Sequence, residues 1–267
     1  MKVNNKVIVV TGGGSGMGRE LVLLLLKKGA KVATCDINEA GMAETKSLAG
    51  DLGIHLSTHI LNIADREKVA AFPDEVIAAH GRVDGIINNA GIIQPFIDVK
   101  DLDYERIERI ININFYGTLY MVKAFLPHLL ARPEAHIANV SSMGGFIPFP
   151  GQTFYGASKA AVKLLTEGLF AELKDTNVGV TVIHPGAVNT NITKNSGVEM
   201  RGDASQEEAA GRTLPADKAA EIMVNGIEKK KYRVMVGKDA RFLDLFYRFS
   251  PERAVRFIVK QMGALKS

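Results

Sequence analysis

Short apolar runs recur along the chain, at intervals that leave room for a helix between consecutive runs. The first run, KVIVV at residues 6–10, is rich in β-branched residues and lacks polar alternation, which is typical of a strand buried on both faces of a parallel sheet. The predicted strands span residues 6–10, 31–35, 54–60, 83–88, 135–141, 178–183 and 232–236.

Helical periodicity fills most of the intervals between these strands. The predicted helices span residues 19–28, 40–49, 65–80, 104–130, 153–174 and 215–230. Pro73 is expected to interrupt the third helix or mark its boundary, and Pro127 to bend the fourth or end it early. The alternation predicts an α/β fold, namely a doubly wound, mostly parallel seven-stranded sheet with helices on both faces, as a single domain over residues 1–267.

Two segments fall outside this alternation. Residues 191–213 are longer than most connections in compact domains, and such loops often act as lids, so a substrate lid is expected here. Residues 237–267 interleave aromatic and aliphatic side chains with Arg and Lys, which predicts an amphipathic helical extension. That extension is expected to pack over the substrate cleft or a partner subunit, or to attach to a membrane surface.

The composition of the chain is consistent with a single globular domain. With 267 residues and 46% hydrophobic content, the chain can bury a substantial core. Cys35 is the only cysteine, so no internal disulfide is expected, and a reducing, cytoplasmic compartment is favoured. The first residues lack the apolar run of a secretory signal, and the scattered histidines have no ligand-like spacing, so no metal site is expected.

The net charge of +4 is unevenly distributed. Residues 228–267 contain 11 Lys/Arg and 4 Asp/Glu, a balance of +7 that leaves −3 for the rest of the chain. A solvated helix face is one interpretation of this basic tail, and an anionic partner is the other. Nucleic acid is disfavoured as that partner, because zinc-finger and RNA-binding signatures are missing.

The first candidate functional motif is the turn after the first predicted strand, where residues 11–18 have the sequence TGGGSGMG. Gly12, Gly16 and Gly18 permit backbone geometry and close approach that a Cβ would block. The helix beyond offers free N–H groups and a partial positive charge to a pyrophosphate. A flexible turn without a ligand is the alternative, but the strand–turn–helix–strand order favours a dinucleotide site.

Asp36 follows the second predicted strand, 18 residues beyond Gly18. A carboxylate there is well placed to accept hydrogen bonds from ribose hydroxyls, and it would repel the 2′-phosphate of NADP. Ser15 and Ile37 flank the same site and supply no cation. Arg19 could reach a phosphate, but it is expected to project from the first helical turn into solvent. NAD is therefore favoured over NADP.

Tyr155 and Lys159 stand at i and i+4 in a predicted helix, so they share a face about 5–6 Å apart at Cβ. A cationic lysine beside a phenol favours the phenolate, and we expect it to lower the pKa of Tyr155. A tyrosine tuned in this way can give or take a proton near neutral pH. Ser142, where a strand should end, could donate a hydrogen bond to a substrate oxygen, and Ser141 is the alternative hydroxyl.

Together these pieces resemble the short-chain dehydrogenase/reductase family, in the family's order and at its spacings over about residues 6–236. The matching motifs lie at residues 11–18 (TGxxxGxG), 88–91 (NNAG), 142 (Ser), 155–159 (YxxxK) and 185–190 (PGxxxT). Any one of these motifs alone is weak. Their agreement in register is what makes the resemblance specific.

The resemblance implies hydride transfer between a nicotinamide dinucleotide and a carbonyl compound or secondary alcohol. Tyr155 would be the general acid or base, Ser142 would position the substrate oxygen, and Lys159 would tune Tyr155 and bind the nicotinamide ribose. Asn114 would hold a water in a proton relay, unless it is a buried asparagine satisfied by the backbone. Besides Tyr155 and Lys159, the implied cofactor contacts are Gly12, Ser15, Gly16, Met17, Gly18, Asp36, Asn62, Ile63, Asn89, Ala90, Gly91, Pro185, Gly186, Val188 and Thr190.

Two features depart from the family pattern. Asn62 stands where the family often has Asp after its third strand, which changes the adenine contact more than the function. Residues 237–267 continue past the point at which many tetrameric members end. A homo-oligomer, dimer or tetramer, is still expected, but its assembly cannot be carried over from those members.

The expected substrate is a hydrophobic ketone or alcohol, because the loops after strands four to six offer mostly apolar walls. The expected wall residues are Ile93, Gln94, Phe96, Phe146, Phe149, Gln152, Val188, Ile192 and Met200. His184 is expected to pack rather than to act. Two alternative functions stay open, a catalytically silent dinucleotide-binding regulator and a peripheral membrane reductase that modifies lipids.

Overall fold

The predicted strands form one sheet in the computed structural model, which describes residues 1–198 and 213–263. The strands are β1 (Val7–Thr11), β2 (Lys31–Asp36), β3 (Leu56–Ile60), β4 (Gly85–Asn88), β5 (Ala135–Val140), β6 (Val178–Pro185) and β7 (Arg233–Val236). Their order is β3-β2-β1-β4-β5-β6-β7, and all neighbours are parallel, which confirms the predicted fold class. The direction of winding reverses between β1 and β4, so a crevice opens at their carboxyl ends.

Helices cover both faces of the sheet. They are α1 (Gly16–Lys27), α2 (Glu39–Leu48), α3 (Arg66–His80), α4 (Tyr104–Ile111), α5 (Thr118–Leu130), α6 (Thr153–Glu172), α7 (Ile192–Asn195), α8 (Ala216–Glu228), α9 (Lys238–Phe249) and α10 (Pro251–Gly263). The apolar faces of α1 and α8 build one core, and those of α3, α5 and α6 build the other. None of the described helices combines the length and apolar character needed to cross a bilayer.

Neither internal proline breaks its helix, so the predicted interruption at Pro73 and the predicted early end at Pro127 are wrong. α3 runs through Pro73, and α5 continues past Pro127 to Leu130. A helix-interior proline removes one hydrogen bond and costs about 3 kcal/mol. Next to Pro73, the buried Phe72 packs edge-to-face on Phe125 with 5.6 Å between ring centroids, and this apolar packing offsets the cost.

The irregular point of the long predicted helix lies instead at Asn112–Gly117, a π-helical turn between α4 and α5. The flanking residues Ile111 and Thr118 keep right-handed helical angles, so residues 104–130 remain one continuous helical segment. Single π-turns inside helices occur often at functional sites. This turn contains Asn114, the residue implied in the proton relay.

The C-terminal segment forms a helical hairpin, α9 and α10, on the loop that follows β5. Ile147 of that loop is fully buried, in a cluster with Leu243 and Ile258 of the hairpin. The Asp239 carboxylate accepts the Ala187 N–H at 2.7 Å, which ties the start of α9 to the loop after β6. Residues 199–212 of the expected lid, including Met200, and residues 264–267 lie outside the described residues.

Candidate active site

Ser142 and Tyr155 are in direct contact where β5 and α6 meet. Ser142 follows the end of β5, and its hydroxyl accepts the Gly144 N–H at 3.0 Å. The same hydroxyl lies beside the Tyr155 phenol, close enough to lower its pKa. Lys159 lies one helical turn beyond Tyr155 and is 4% exposed. The structure therefore brings Ser142, Tyr155 and Lys159 to one place.

The neighbouring Ser141 has a structural role. Its hydroxyl donates to the backbone carbonyl oxygen of Lys159 at 2.7 Å and is buried. His184 packs edge-to-face on Phe146, with 5.4 Å between ring centroids, and its Nδ1 lies 3.1 Å from the Ser142 carbonyl oxygen. Burial lowers the pKa of His184 to about 4, so the ring is neutral near pH 7. Ser142 is thus the serine that faces Tyr155.

Burial raises the pKa of Tyr155, and the adjacent Ser142 hydroxyl acts in the opposite direction. The expectation that Lys159 lowers this pKa is wrong for this structure. The Lys159 ammonium donates instead to the Val140 carbonyl oxygen at 3.0 Å. Burial lowers the pKa of Lys159 itself to about 8, so its ammonium can exchange a proton near neutral pH.

Gly91 keeps a small space open between Lys159 and Asn114. A Cβ at Gly91 would lie 3.0 Å from Lys159 Nζ and 3.1 Å from Asn114 Oδ1. The Asn114 side chain is fully buried, with Oδ1 accepting the Ile92 N–H and Nδ2 donating to the Ile92 carbonyl and the Ser158 hydroxyl. Asn114 thus has the backbone partners of the alternative interpretation, and it also lies beside Lys159.

Gln94 does not line a pocket, which corrects the expectation for it. Its side chain is fully buried, and its Oε1 accepts the backbone N–H groups of Phe154 and Tyr155 at 2.8 and 3.0 Å. Its Nε2 donates to the Gly151 carbonyl at 2.7 Å. Gln152 is also buried, and it donates to the Gln94 carbonyl. Both amides therefore hold the start of α6 rather than face a substrate.

An open cleft of about 290 Å³ lies at the carboxyl ends of β1, β2 and β4. Most of the implied cofactor contacts line it: Gly12, Ser15, Gly16, Met17, Gly18, Asp36, Asn62, Ile63, Asn89, Ala90, Gly91 and Thr190. Ser15 makes no side-chain cap to α1, so the N–H groups of its first turn are free for an anion. Together with a carboxylate and the apolar Leu61, this lining suits the phosphates, ribose and flat ring of a dinucleotide.

The glycines of the turn are required by its own geometry. Gly12 and Gly16 have φ angles of +77° and +53°, in the left-handed region that favours glycine. A Cβ at Gly18 would overlap the Gly12 carbonyl oxygen. The turn therefore brings α1 close against β1, with its first turn at the cleft.

Five implied cofactor contacts lie off the cleft lining: Tyr155 and Lys159, described above, and Pro185, Gly186 and Val188. Pro185 is the buried last residue of β6, and Gly186 packs against Asp239. Val188 pairs with Leu214 in an isolated bridge and packs against the first core. From the PGxxxT segment, Thr190 is the residue that reaches the cleft lining.

Arg19 does not project into solvent, which corrects the expectation for it. Its Nη2 donates to the Gly14 carbonyl at 2.7 Å and to Glu44 Oε2 at 2.6 Å. The Asp36 carboxylate accepts the N–H groups of Gly14 and Asn38, each at 3.0 Å. Asp36 is therefore held at the cleft, and the nearby guanidinium is neutralised by Glu44.

Several cleft residues were not predicted from the sequence. Asn195 of α7 donates to the Ser15 hydroxyl at 2.8 Å, which closes the loop after β6 onto the glycine turn. Asn38 caps α2 through the Gly41 N–H and lines the cleft, as does Arg109 of α4. An Asn two residues after the strand-ending acid was a usable signal for the cap. No spacing rule pointed to Arg109 or Asn195.

The fold and site define a Rossmann-type α/β protein with a Ser–Tyr contact beside a dinucleotide-type cleft. The chain belongs to the short-chain dehydrogenase/reductase family, a family of oxidoreductases, since the sequence model for short chain dehydrogenases matches residues 6–201. This confirms the resemblance seen in the sequence.

Curated relatives and solved structures agree with this assignment. The chain is 41% identical over 249 residues to SadH of Mycobacterium tuberculosis, named as an oxidoreductase, covering 91% of this chain and 90% of that protein. It is 34% identical to rat dehydrogenase/reductase SDR family member 7B, covering 88% and 74%. A Burkholderia phymatum short-chain dehydrogenase/reductase in complex with NAD superimposes with a TM-score of 0.81 at 25% identity, covering 90% and 91%. A Burkholderia cenocepacia short chain dehydrogenase in complex with NADP gives 0.80 at 25% identity, covering 97% and 99%.

Proposed function

We propose that this chain is an NAD-dependent oxidoreductase that interconverts a hydrophobic carbonyl compound and its secondary alcohol. The contact between the Ser142 hydroxyl and the Tyr155 phenol carries the proposal, because Lys159, one helical turn beyond Tyr155, places its ammonium beside Gly91 of the cleft lining. Relatives solved with NAD and with NADP support a nicotinamide dinucleotide as the cofactor.

A bound nicotinamide dinucleotide would supply the hydride in reduction and accept it in oxidation. In reduction, Ser142 donates a hydrogen bond to the substrate oxygen, and the Tyr155 O–H gives its proton to that oxygen, which becomes the alcohol. In oxidation, the Tyr155 phenolate takes the same proton back. Lys159 can restore the proton, since burial brings its pKa to about 8, and Asn114 lies beside its ammonium.

The preference for NAD rests on charge at the ribose end of the cleft. The Asp36 carboxylate lines the cleft and can accept further hydrogen bonds from hydroxyl groups. A 2′-phosphate would meet that negative charge, while Arg19, the cation nearby, is already paired with Glu44. The balance of charge at this end therefore disfavours NADP.

The hydrophobic substrate class rests on the loop between β5 and α6. Its side chains Met143, Phe146 and Phe149 are partly buried and pack with the C-terminal hairpin. The two polar side chains expected in the pocket, Gln94 and Gln152, are buried and hydrogen-bonded at the start of α6. In the described loop between β5 and α6, few polar side chains remain for a polyhydroxylated substrate, which would need many of them.

A homo-oligomer belongs to the same proposal. Leu164 and Phe170 on α6 are 68% and 40% exposed, and Tyr116 in the contacting π-turn is 40% exposed. Exposed apolar side chains grouped on neighbouring helices fit contact with a second copy. Sedimentation of the wild-type chain and Leu164→Asp would test this, and an unchanged mass in the variant would dismiss that face.

The proposal is tested by following NADH and NADPH absorbance against a panel of hydrophobic ketones, sugars and the matching alcohols. Turnover of hydrophobic compounds with NADH is the expected result. Turnover confined to sugars would overturn the substrate class. Tight dinucleotide binding without turnover of any compound would favour the silent regulator instead.

A further inference from the structure

The C-terminal hairpin carries an apolar stripe on its outer surface. Phe242, Leu245 and Phe249 stand at i, i+3 and i+7 on α9, so they share one face. They are 55%, 71% and 87% exposed. Phe257 of α10 joins them, with its ring centroid 6.0 Å from that of Phe242. A contiguous row of apolar side chains this exposed is typical of an interaction surface.

Cations border this stripe on both helices. Lys238 and Arg241 each precede a stripe residue of α9 by four positions, and Arg253 and Lys260 lie four before and three after Phe257. Residues at these spacings are neighbours on a helix surface. All four side chains are exposed, and no ion pair joins any of them to another residue in the described ranges 1–198 and 213–263.

The acidic side chains of the hairpin are already engaged. Asp239 accepts the Ala187 N–H, Asp244 pairs with Arg233 at 3.0 Å, and Glu252 pairs with a neighbouring arginine of α10. Residues 238–263 contain six Lys/Arg and three Asp/Glu, a net charge of +3. The outer face of the hairpin is therefore both apolar and positive.

We propose that this face docks on an anionic lipid bilayer. The stripe would enter the boundary between headgroups and acyl chains, and the bordering cations would contact lipid phosphates, as in other interfacial amphipathic helices. A second copy of the chain fits this face poorly. A symmetric contact sets the same patch against itself, so it would bring the free cations of two hairpins together, whereas an anionic surface attracts all of them.

Docking in this way would bring the candidate site close to the bilayer. The hairpin lies directly on the loop after β5, where Ile147 is buried against Leu243 and Ile258. That loop runs between Ser142 and Tyr155. A hydrophobic compound dissolved in the membrane would then have a short path to the site. The docking itself does not depend on the proposed reaction.

Flotation of the full chain with lipid vesicles tests the proposal. Vesicles of phosphatidylcholine alone are compared with vesicles that contain about 30% phosphatidylserine, at low salt and at about 0.5 M salt. The expected result is co-flotation with the anionic vesicles only, weakened by salt. Absence of co-flotation with either vesicle at low salt would overturn the proposal.

Two pairs of variants locate the contact. Leu245→Ser with Phe249→Ser, and separately Lys238→Glu with Arg241→Glu, should each lower vesicle partition by at least about tenfold. The matched controls change equally exposed residues elsewhere. They are Leu48→Ser with Ile54→Ser, and Lys27→Glu with Lys46→Glu.

The variants also distinguish docking on a bilayer from nonspecific contact and from contact with a second copy of the chain. If the control pairs lower partition as much as the hairpin pairs, the contact is nonspecific and the proposal is wrong. If Leu245→Ser with Phe249→Ser instead reduces the oligomer mass in lipid-free sedimentation and leaves flotation unchanged, a second copy covers the face. All of these side chains lie at the surface, so each variant is expected to keep the fold. Thermal unfolding of each variant checks that loss of the fold is not the cause of a lowered partition.

Discussion

The side-chain carbonyl oxygen of Gln94 accepts the backbone N–H of Tyr155 at 3.0 Å. The same oxygen holds the Phe154 N–H, and the Gln94 amide nitrogen holds the Gly151 carbonyl. One buried residue in the loop after β4 therefore fixes the start of α6, where the proposed proton donor is placed. The position of Tyr155 relative to Ser142 therefore depends on Gln94, a residue outside the family motifs.

Gln94→Leu should lower kcat by about tenfold or more, with little change in the KM for the dinucleotide. The variant leaves two N–H groups and one carbonyl unpaired at the start of α6, so Tyr155 loses its fixed geometry. Gln94 does not line the cleft, so cofactor binding is spared. Steady-state kinetics and the pH profile of kcat measure the effect.

Gln152→Leu is the matched control, because it removes the single bond that Gln152 donates to the Gln94 backbone. We expect a smaller loss of kcat and an unchanged pH profile. If Gln94→Leu loses activity only in proportion to its unfolded fraction, and its pH profile does not move, Gln94 has no positioning role.

Asp36→Ala combined with Glu44→Gln should shift the cofactor preference toward NADPH by at least about tenfold. The first change removes the charge that repels a 2′-phosphate, and the second frees the Arg19 guanidinium to bind it. The ratio of Kd values for NADH and NADPH measures the shift. Glu39→Ala, an exposed carboxylate on α2, serves as the control, and equal affinities in the parent chain would refute the role of Asp36.

Lys159→Met should abolish turnover and yet raise the free energy of unfolding at pH 7 by about 2 kcal/mol. Burial lowers the pKa of Lys159 from 10.5 to about 8, so below pH 8 the fold holds a buried charge at a cost. Between about pH 8 and 10.5 the unfolded chain binds the extra proton, so the parent chain gains stability as pH rises. The difference between variant and parent should therefore shrink over this range.

Urea unfolding at several pH values checks this prediction for Lys159. Lys163→Met on the same helix is the control, because Lys163 is half-buried and paired with Glu167 at 2.8 Å. It should gain nothing. A destabilised Lys159→Met variant at pH 7 would show that the bond to the Val140 carbonyl outweighs the cost of burial.

His136→Gln should make the fold less sensitive to acid. Burial lowers the pKa of His136 from 6.5 to about 3. Below pH 6.5, the His136 imidazole therefore binds a proton in the unfolded chain and stays neutral in the folded chain. The stability held above pH 6.5 is then lost as pH falls, by about 2–3 kcal/mol at pH 4.5. Unfolding curves between pH 7 and 4.5 measure the slope, and the exposed His55→Gln should keep the parent slope.

The sheet was predictable because most of its strands are short apolar runs separated by helical segments, and this pattern is present in the local sequence. The contact of Ser142 with Tyr155 was predictable in part, since a strand end and a helix start are joined by one short loop. The path of α3 through Pro73 was not, because its cost is offset by packing with Phe72, which local propensity does not contain.

Long-range partners account for the other differences. From the sequence, Gln94 is predicted to be a polar pocket residue. The fold brings it to the start of α6, although Gln94 and Tyr155 are 61 positions apart in the chain. The pKa of Tyr155 depends on where the Lys159 ammonium points, and the Val140 carbonyl decides that. Arg19 turns from solvent to Glu44 because α2 packs beside the glycine turn. Tertiary packing determines the partners of these three side chains, so residue spacing alone cannot predict them.

Initial rates of NADH oxidation by Tyr155→Phe test whether Tyr155 transfers the proton of the reaction. Tyr104→Phe, which removes the hydroxyl of a tyrosine that is 82% exposed, is the control. We expect at least about a hundredfold loss of kcat in Tyr155→Phe with dinucleotide affinity retained, and parent rates in the control. Parent turnover by Tyr155→Phe would show that another group transfers the proton.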